Sequence, residues 1–299
     1  MSEEAAAGRY SIGGSPFEAP PLARGLHVVA TPIGNLRDIS VRALETLAAA
    51  DLILCEDTRT SAKLLDHYAI RTPRSPLHEH NERARIEPLL AELAQGRRIA
   101  LISDAGTPLL SDPGFPLVRA AQEAGIDVFA VPGASALLGA LSVAGLPTDA
   151  FTFLGFLPSR QEARANALAE LSARRETLVF YESPRRLVDS LRAMADAFGE
   201  ERPAAAALEL TKRFERVHRG SLGSLVAELD AAGDIKGEAV ILVGGSTAEA
   251  IDPAAWQAAL DEALGRQPLR AAVDEVTETF GLKRKEVYDA ALRLKAEAT

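Results

Sequence analysis

The sequence predicts an α/β protein in two consecutive halves, followed by a small all-helical tail. Three observations predict it. Short β-branched apolar runs alternate with Ala/Leu-rich stretches of helical spacing, the pattern of βαβ units on a mainly parallel sheet. A Gly/Pro segment, "AGLPTDA" at 144–150, divides that alternation into two sets. After "GGSTAEAIDP" the strand pattern stops and only helical spacing continues.

The elements follow in order. "LHVVATP" at 26–32 predicts a strand, with a helix near 40–50. "DLILCED" at 51–57 is the next strand, with a helix near 59–67. "RRIALIS" at 97–103 and "IDVFAVP" at 126–132 complete the first set, each followed by a helix, near 115–125 and from Ala134 to about Val143. In the second set "FTFLGFLP", "ETLVFYESP", "AAALEL", "FERVHRG" and "EAVILVGG" predict strands, with helices near 160–173, 184–197 and 221–231. Helices are expected near 254–264, 268–280 and 284–296, and the break at Gly281 gives the last two the form of a helix-turn-helix. The expected domains are 25–145, 146–247 and 252–299. Residues 1–24 lack an apolar h-region, so they are not a signal peptide, and their Gly, Pro, Ala and Ser content predicts a flexible tail.

Composition narrows the function classes. The chain has 299 residues, 47% apolar and 25% charged, as globular proteins do. No apolar run approaches the roughly 20 residues of a membrane span. A single cysteine, Cys55, permits no internal disulfide and suits a reducing cytoplasm. The net charge of −9 argues against a chain-wide nucleic-acid surface, but "TKRFERVHRG" at 211–220 and "KRK" at 283–285 are local basic clusters. Neither the G-x-G-x-x-G fingerprint nor a P-loop is present. "HEH" at 78–80 has no third ligand at metal-binding spacing, so no metal site is expected.

In parallel α/β sheets ligands bind beyond the carboxyl ends of the strands. The loops there are "TPIGN", "EDTRTS", "SDAGTP" and "VPGAS". Each alone also fits a helix-start turn, since Asp104, Ser111 and Ser135 are capable caps. Together they present small side chains, proline turns and a carboxylate at successive strand ends of one sheet. Small residues let backbone groups reach an adenosine-like ligand, and a carboxylate suits ribose hydroxyls or an ammonium.

These residues resemble a known family. "TPIGNLRDIS", "CEDTRTS", "LHEHNE", "LISDAGTPLLSDPG", "VPGASA", "FLGFLP", "FYESPRRL" and "ELTKRFE" occur in order over roughly 26–245, as in the RsmI branch of the tetrapyrrole methylase superfamily. The helical tail resembles that branch's C-terminal extension. Porphyrin-modifying relatives carry a Gly-rich "GxGPGD"-like first loop and a "GDP" triplet where this chain has "TPIGN" and "SDAGTP", which favours the rRNA branch.

The resemblance implies two αβα domains, a class III methyltransferase binding S-adenosylmethionine (SAM) in the cleft between them, and a homodimer. It implies 2′-O-methylation of cytidine 1402 of 16S rRNA in the small ribosomal subunit, without a metal. Carried over, the cofactor contacts fall on Pro32, on Asp104, Ala105, Gly106 and Thr107, on Ser135 and Ala136, near Tyr181, and on Gly237, Glu238 and Ala239. The ribose hydroxyl must lose a proton, so a general base is expected. The candidates are His80 with Asn81 and Glu82, the pair Glu56 and Asp57, and Lys212 with its acidic neighbours. "HEHNE" equally fits a cap for the helix that follows. Arg59, Lys212 and Arg213 suit phosphate contacts, as do Lys283, Arg284 and Lys285 in the tail. Two other readings stay open: a methylase of a precorrin or porphyrin, and a non-enzymatic SAM-sensing or RNA-binding module.

Overall fold

A computed structural model describes residues 8–233, 235–247, 253–282 and 284–297. Within the segment expected to be flexible, residues 9–18 form a hairpin, while residues 1–7 lie outside the described residues. Strands β1 (Arg9–Ile12) and β2 (Ser15–Glu18) pair antiparallel around Gly13 and Gly14, both at positive φ. A two-residue Gly-Gly turn matches the right-handed twist of a hairpin. Tyr10 is only 4% exposed and enters the first core, and the Ser11 N–H donates to the Tyr68 carbonyl at 2.7 Å. The glycines that suggested flexibility are the turn itself.

The first sheet holds β3 (Gly25–Val29), β4 (Leu52–Cys55), β5 (Arg74–Pro76), β6 (Arg98–Leu101) and β7 (Val128–Val131). Its order is β5-β4-β6-β3-β7, parallel throughout. Helices α1 (Val41–Ala49), α2 (Thr58–His67), α3 (Glu82–Ala94), α4 (Phe115–Glu123) and α5 (Ala136–Ala144) connect and follow the strands. The period-2 alternation of strands assigns the faces. Ile53, Cys55 and Ala100 pack with Leu44, Leu47, Leu64 and Leu65 of α1 and α2. Leu54, Ile99 and Leu101 pack on the other face with Leu89, Leu93 and Leu117 of α3 and α4. Both faces are covered, so the inner strands are mostly apolar, while the edge strand β5 is Arg-Ser-Pro and largely exposed.

The second sheet holds β8 (Phe151–Phe156), β9 (Thr177–Glu182), β10 (Pro203–Leu208), β11 (Arg216–Ser221) and β12 (Ala239–Val243), in the order β11-β10-β12-β9-β8. Only β8 and β9 run parallel; the other pairs are antiparallel. Helices α6 (Gln161–Leu171), α7 (Leu187–Phe198) and α8 (Leu222–Ala232) belong to this half. One face packs Leu178, Phe180 and Ile241 against Leu191, Met194 and Leu225 of α7 and α8. The opposite face packs Val179, Ala205, Ala207, Val240 and Leu242 against Leu137, Ala140, Leu141 and Ala144 of α5, and against Ile33. Thus α5 follows the first sheet in sequence but packs on the second, and a boundary drawn at 145 cuts behind the helix that joins the halves. Alanines along β10 leave room for that close packing.

Residues 247–299 form a separate compact unit. In it α9 (Pro253–Arg266), α10 (Leu269–Phe280) and α11 (Arg284–Glu297) enclose Trp256, Leu260, Val273, Val276 and Val287. Gly281, at φ +61, ends α10 in the left-handed conformation that favours glycine. No helix among the described residues is long and apolar enough to cross a membrane.

Candidate functional site

A cleft of about 380 Å³ opens between the two sheets, beyond the carboxyl ends of β3 and β6. That volume lies within the range of small-molecule sites. The strand-end loops of the first half form one wall because hydrogen bonds stitch them together. Thr31 and Gly106 exchange backbone N–H···O bonds of 2.8 and 3.1 Å. The Thr31 hydroxyl donates to the Ser103 carbonyl at 3.2 Å, and the Thr107 hydroxyl donates to the Ala134 carbonyl at 3.2 Å. Gly106 sits at φ +83, and a Cβ there would lie 3.2 Å from Ile33 Cγ2. Leu109 and Ser111, both non-glycine, have φ of 75° and 72°. Backbone in that region persists only where its surroundings fix it, and it concentrates at functional sites.

The second half supplies the other wall. Tyr181 and Phe156 face the cleft with ring centroids 5.8 Å apart. Burial pushes the Tyr181 hydroxyl up from its ordinary value. The buried Glu182 carboxylate accepts from the Ser183 N–H at 2.8 Å, the Ser190 hydroxyl at 2.6 Å and Arg186 at 3.1 Å. Gly237 stands at φ +95, where a Cβ would fall 2.0 Å from Glu209 Oε1. Glu209 accepts from the Glu238 N–H at 3.0 Å and from Lys212 Nζ at 2.7 Å. Lys212 Nζ also lies 3.4 Å from the Glu238 carboxylate.

Asp104, Ala105, Gly106, Thr107, Ala136, Tyr181, Gly237, Glu238 and Ala239 all line this cleft. Pro32 and Ser135 do not. Ser135 instead caps α5 by accepting from the Leu138 N–H at 3.5 Å.

The candidate bases separate by environment. His80 is exposed and away from the cleft lining. Asn81 spends its amide on a turn, accepting from the His78 N–H at 2.9 Å and donating to the Pro76 carbonyl at 3.2 Å. Glu82 is buried in the first turn of α3. These positions start a helix, and none of the three lines the cleft. Asp57 caps α2 and binds Arg59 through both carboxylate oxygens, at 3.1 and 2.7 Å. The Arg59 hydrogen bonds hold the Asp57 carboxyl at about 2, too weakly basic to draw a proton from a hydroxyl. Burial would lower the Lys212 ammonium, but Glu209 and Glu238 more than offset this and raise it, which favours its protonated form. Of the three candidate phosphate contacts Arg59, Lys212 and Arg213, the first two are therefore ion-paired, while the Arg213 guanidinium lies against the Phe214 ring. In the tail Arg284 pairs with Asp274 at 2.7 Å and Lys285 is exposed, while Lys283 lies outside the described residues.

Glu56 and Asp112 differ from these. Burial pushes the Glu56 carboxyl up, with Asp104 and Glu79 adding to it. Asp112 lines the cleft, and burial followed by Glu56 and Asp104 pushes its carboxyl to about 6, partly offset by the Ser103 hydroxyl. Sequence reasoning passed over Asp112. Its signal was the second acid in "SDAGTPLLSDPG", ahead of a proline turn. Phe156, Glu182, Ser183 and Pro184 were also passed over. Among the described residues no cluster of His, Cys, Asp and Glu could hold a metal ion.

The two-sheet fold resembles that of solved methyltransferases. One is uroporphyrin-III-C-methyltransferase of Thermus thermophilus, with TM-score 0.52 and 23% identity, covering 73% of this chain and 93% of that one. Another is the methyltransferase CobJ, with TM-score 0.56 and 20% identity, covering 77% and 97%. At these identities the likeness is one of fold. The sequence profile of the tetrapyrrole (corrin/porphyrin) methylases matches residues 25–226, so the protein is a methyltransferase of that family.

Closer relatives narrow the family. The profile of the RsmI C-terminal HTH domain matches residues 250–295. A Mesorhizobium japonicum protein named ribosomal RNA small subunit methyltransferase I is 48% identical over 284 residues, 95% of this chain and 97% of the relative. Its Escherichia coli O157:H7 namesake is 46% identical over 269 residues, covering 89% and 94%. The chain belongs to the ribosomal RNA small subunit methyltransferase I family.

Proposed function

We propose that this methyltransferase uses SAM, held in the cleft, to methylate the ribose 2′-hydroxyl of cytidine 1402 in 16S rRNA of the small ribosomal subunit. The observation that carries the cofactor reading is the charge of the cleft. Asp104, Asp112, Glu182 and Glu238 line it and, among the described residues, no lysine, arginine or histidine does; Arg186 and Lys212 pair with Glu182 and Glu238 from outside the lining, which leaves Asp104 and Asp112 as the carboxylates without a cation. Such a lining repels phosphate and suits a ligand bearing an ammonium, a sulfonium and ribose hydroxyls. Gly106 and Gly237 bring backbone edges into the cleft where a side chain would collide. The residues present therefore fit SAM. Asp104 and the 105–107 backbone would hold it from one wall, and Tyr181 and the 237–239 backbone from the other.

SAM supplies an electrophilic methyl group on a sulfonium. The chain's own task is to align the ribose hydroxyl in line with that group, exclude water and accept the proton. Asp112 is the carboxylate we assign to the proton: it faces the cleft, and its carboxyl at about 6 matches a base working near neutrality. Burial, and then the charges of Glu56 and Asp104, keep its basicity high.

The names of the relatives favour rRNA over a tetrapyrrole substrate, since those relatives are 42–48% identical while the precorrin and porphyrin enzymes share only the fold. The deciding experiment is mass mapping of 16S rRNA from cells lacking this gene, followed by treatment of their small subunits with purified protein and labelled SAM. Loss and restoration of one 2′-O-methyl at cytidine 1402 is expected; an unchanged map would refute the assignment. We further propose a cytoplasmic homodimer. The buried free thiol of Cys55 suits a reducing compartment, and exposed Phe115 and Leu138 are available to a second copy, which sedimentation tests.

A further inference from the structure

We infer that Phe214 is a stacking platform for an unpaired RNA base at the mouth of the cleft, with Arg213 beside it for the adjoining phosphate; this rests on the reading of the substrate as rRNA. Phe214 is 70% exposed, more than any other large apolar side chain of the described residues. One exposed ring says little by itself. Three features around it say more.

The loop that carries it is built. Glu209 and Thr211, neither a glycine, have φ of 51° and 63°. The turn is closed by Lys212 N–H to the Glu209 carbonyl at 3.0 Å, Glu215 N–H to the Lys212 carbonyl at 3.2 Å, and Thr211 N–H to the Glu215 carboxylate at 2.6 Å. Strained backbone fixed in this way presents residues 213 and 214 in one orientation. The loop also stands at the rim of the cleft and touches both walls. The Asn35 N–H donates to the Thr211 hydroxyl at 3.3 Å, and the Lys212 stem covers Gly34, where a Cβ would lie 2.4 Å from Lys212 Cγ. The Lys212 ammonium reaches Glu238 of the cleft lining.

The charge pattern selects the partner. The cleft is acidic, so cations for a polyanion must lie outside it. The Arg213 guanidinium sits 5.5 Å from the Phe214 ring centroid, and Arg216 follows on β11. Among the described residues no carboxylate pairs with either arginine. An exposed ring among unpaired guanidinium groups matches single-stranded nucleic acid, whose bases stack on aromatics while its phosphates take the cations. A protein partner would call for a contiguous apolar patch instead.

The test uses the full chain. Phe214→Trp gains an emission that a short unpaired oligoribonucleotide quenches beyond the change seen in wild type. Phe214→Ala raises KM for small-subunit particles about tenfold, within the range for a lost base stack, while kcat, SAM affinity and sedimentation stay unchanged. Phe214→Tyr restores KM. An unaltered KM in Phe214→Ala, or no added quenching in Phe214→Trp, overturns the proposal. A shift of Phe214→Ala toward smaller species assigns the ring to self-association and overturns it as well. Failure of the wild-type chain to methylate the particles would refute the substrate reading instead, and the emission change then decides the stacking on its own.

Discussion

Replacing Asp112 by asparagine separates two effects that the cleft imposes on one carboxylate. The folded protein raises this carboxyl from 3.8 to about 6. Two pKa units correspond to about 3 kcal/mol, and because the carboxylate is only half buried, screening reduces this to about 1–2 kcal/mol. The sign follows from linkage. An acid with a raised folded-state value favours folding in its protonated form, fully below about 3.8, and this advantage is lost as pH rises through about 6. At pH 7.5 the ionised Asp112 thus opposes folding, and Asp112→Asn should unfold about 1 kcal/mol later in urea than wild type. At pH 3.5 the two proteins should be equally stable. Activity should move the other way. As the base, Asp112 contributes roughly 10²–10⁴ in rate, so Asp112→Asn should lose about that factor in kcat. In wild type, kcat/KM should fall below an apparent pKa near 6. The kcat profile should break at lower pH, because a sulfonium in the cleft favours the carboxylate. Stopped assays with labelled SAM between pH 5 and 8 measure both limbs. A variant more stable than wild type that keeps its kcat would refute the role of Asp112 as base.

Other outcomes follow from the same geometry. Asp104→Ala removes a cleft carboxylate and the acceptor of the Asp57 N–H at 3.2 Å; calorimetry should show SAM affinity reduced at least tenfold, and unchanged affinity would remove Asp104 from the cofactor site. Gly237→Ala drives a Cβ into Glu209 and breaks its contacts with Lys212 and Glu238; methyl transfer should fall far more than thermal stability, and the reverse would make this cluster structural only. Tyr10→Ala empties a core position beside Phe17; about 3 kcal/mol of stability should be lost, and a melting temperature equal to wild type would mean that the hairpin is not docked in solution.

The parts of this protein legible in the sequence were those with a local cause. Apolar runs of strand length marked four of the five strands of the first sheet, since both faces of a parallel sheet are buried; the edge strand β5, Arg-Ser-Pro, carries no such run and was missed, while α3 was expected only as the helix that "HEHNE" would cap. Asp104–Thr107 were legible because a strand end, an acid and small residues sit together in the chain. The N-terminal hairpin was obscured by its own glycines, which supply a turn but also lower apparent order. The antiparallel pairing of β10, β11 and β12 depends on which strands meet, and alternation along one strand does not record that. The carboxylate proposed as the base left the weakest trace in the chain. His80 stands on the surface, away from the cleft lining, while burial, followed by Glu56 and Asp104, raises the Asp112 carboxyl. That environment exists only after folding. Lys212 has one carboxylate partner near it in the chain, Glu209, and a second, Glu238 just ahead of β12, that only folding brings to it.

The position of α5 bears on how the chain acquires its shape during synthesis. Leu137, Leu141 and Ala144 are made with the first sheet, but β10 and β12, the strands that cover them, leave the ribosome much later. Until then the nascent first half displays an apolar helix with nothing to dock on, and its cleft has a single wall. Residues 8–246 should therefore reach their native state in one late cooperative step, with the cofactor site among the last features to form. A chain stopped between α5 and β10 would be a substrate for chaperones and proteases, not a half-working enzyme.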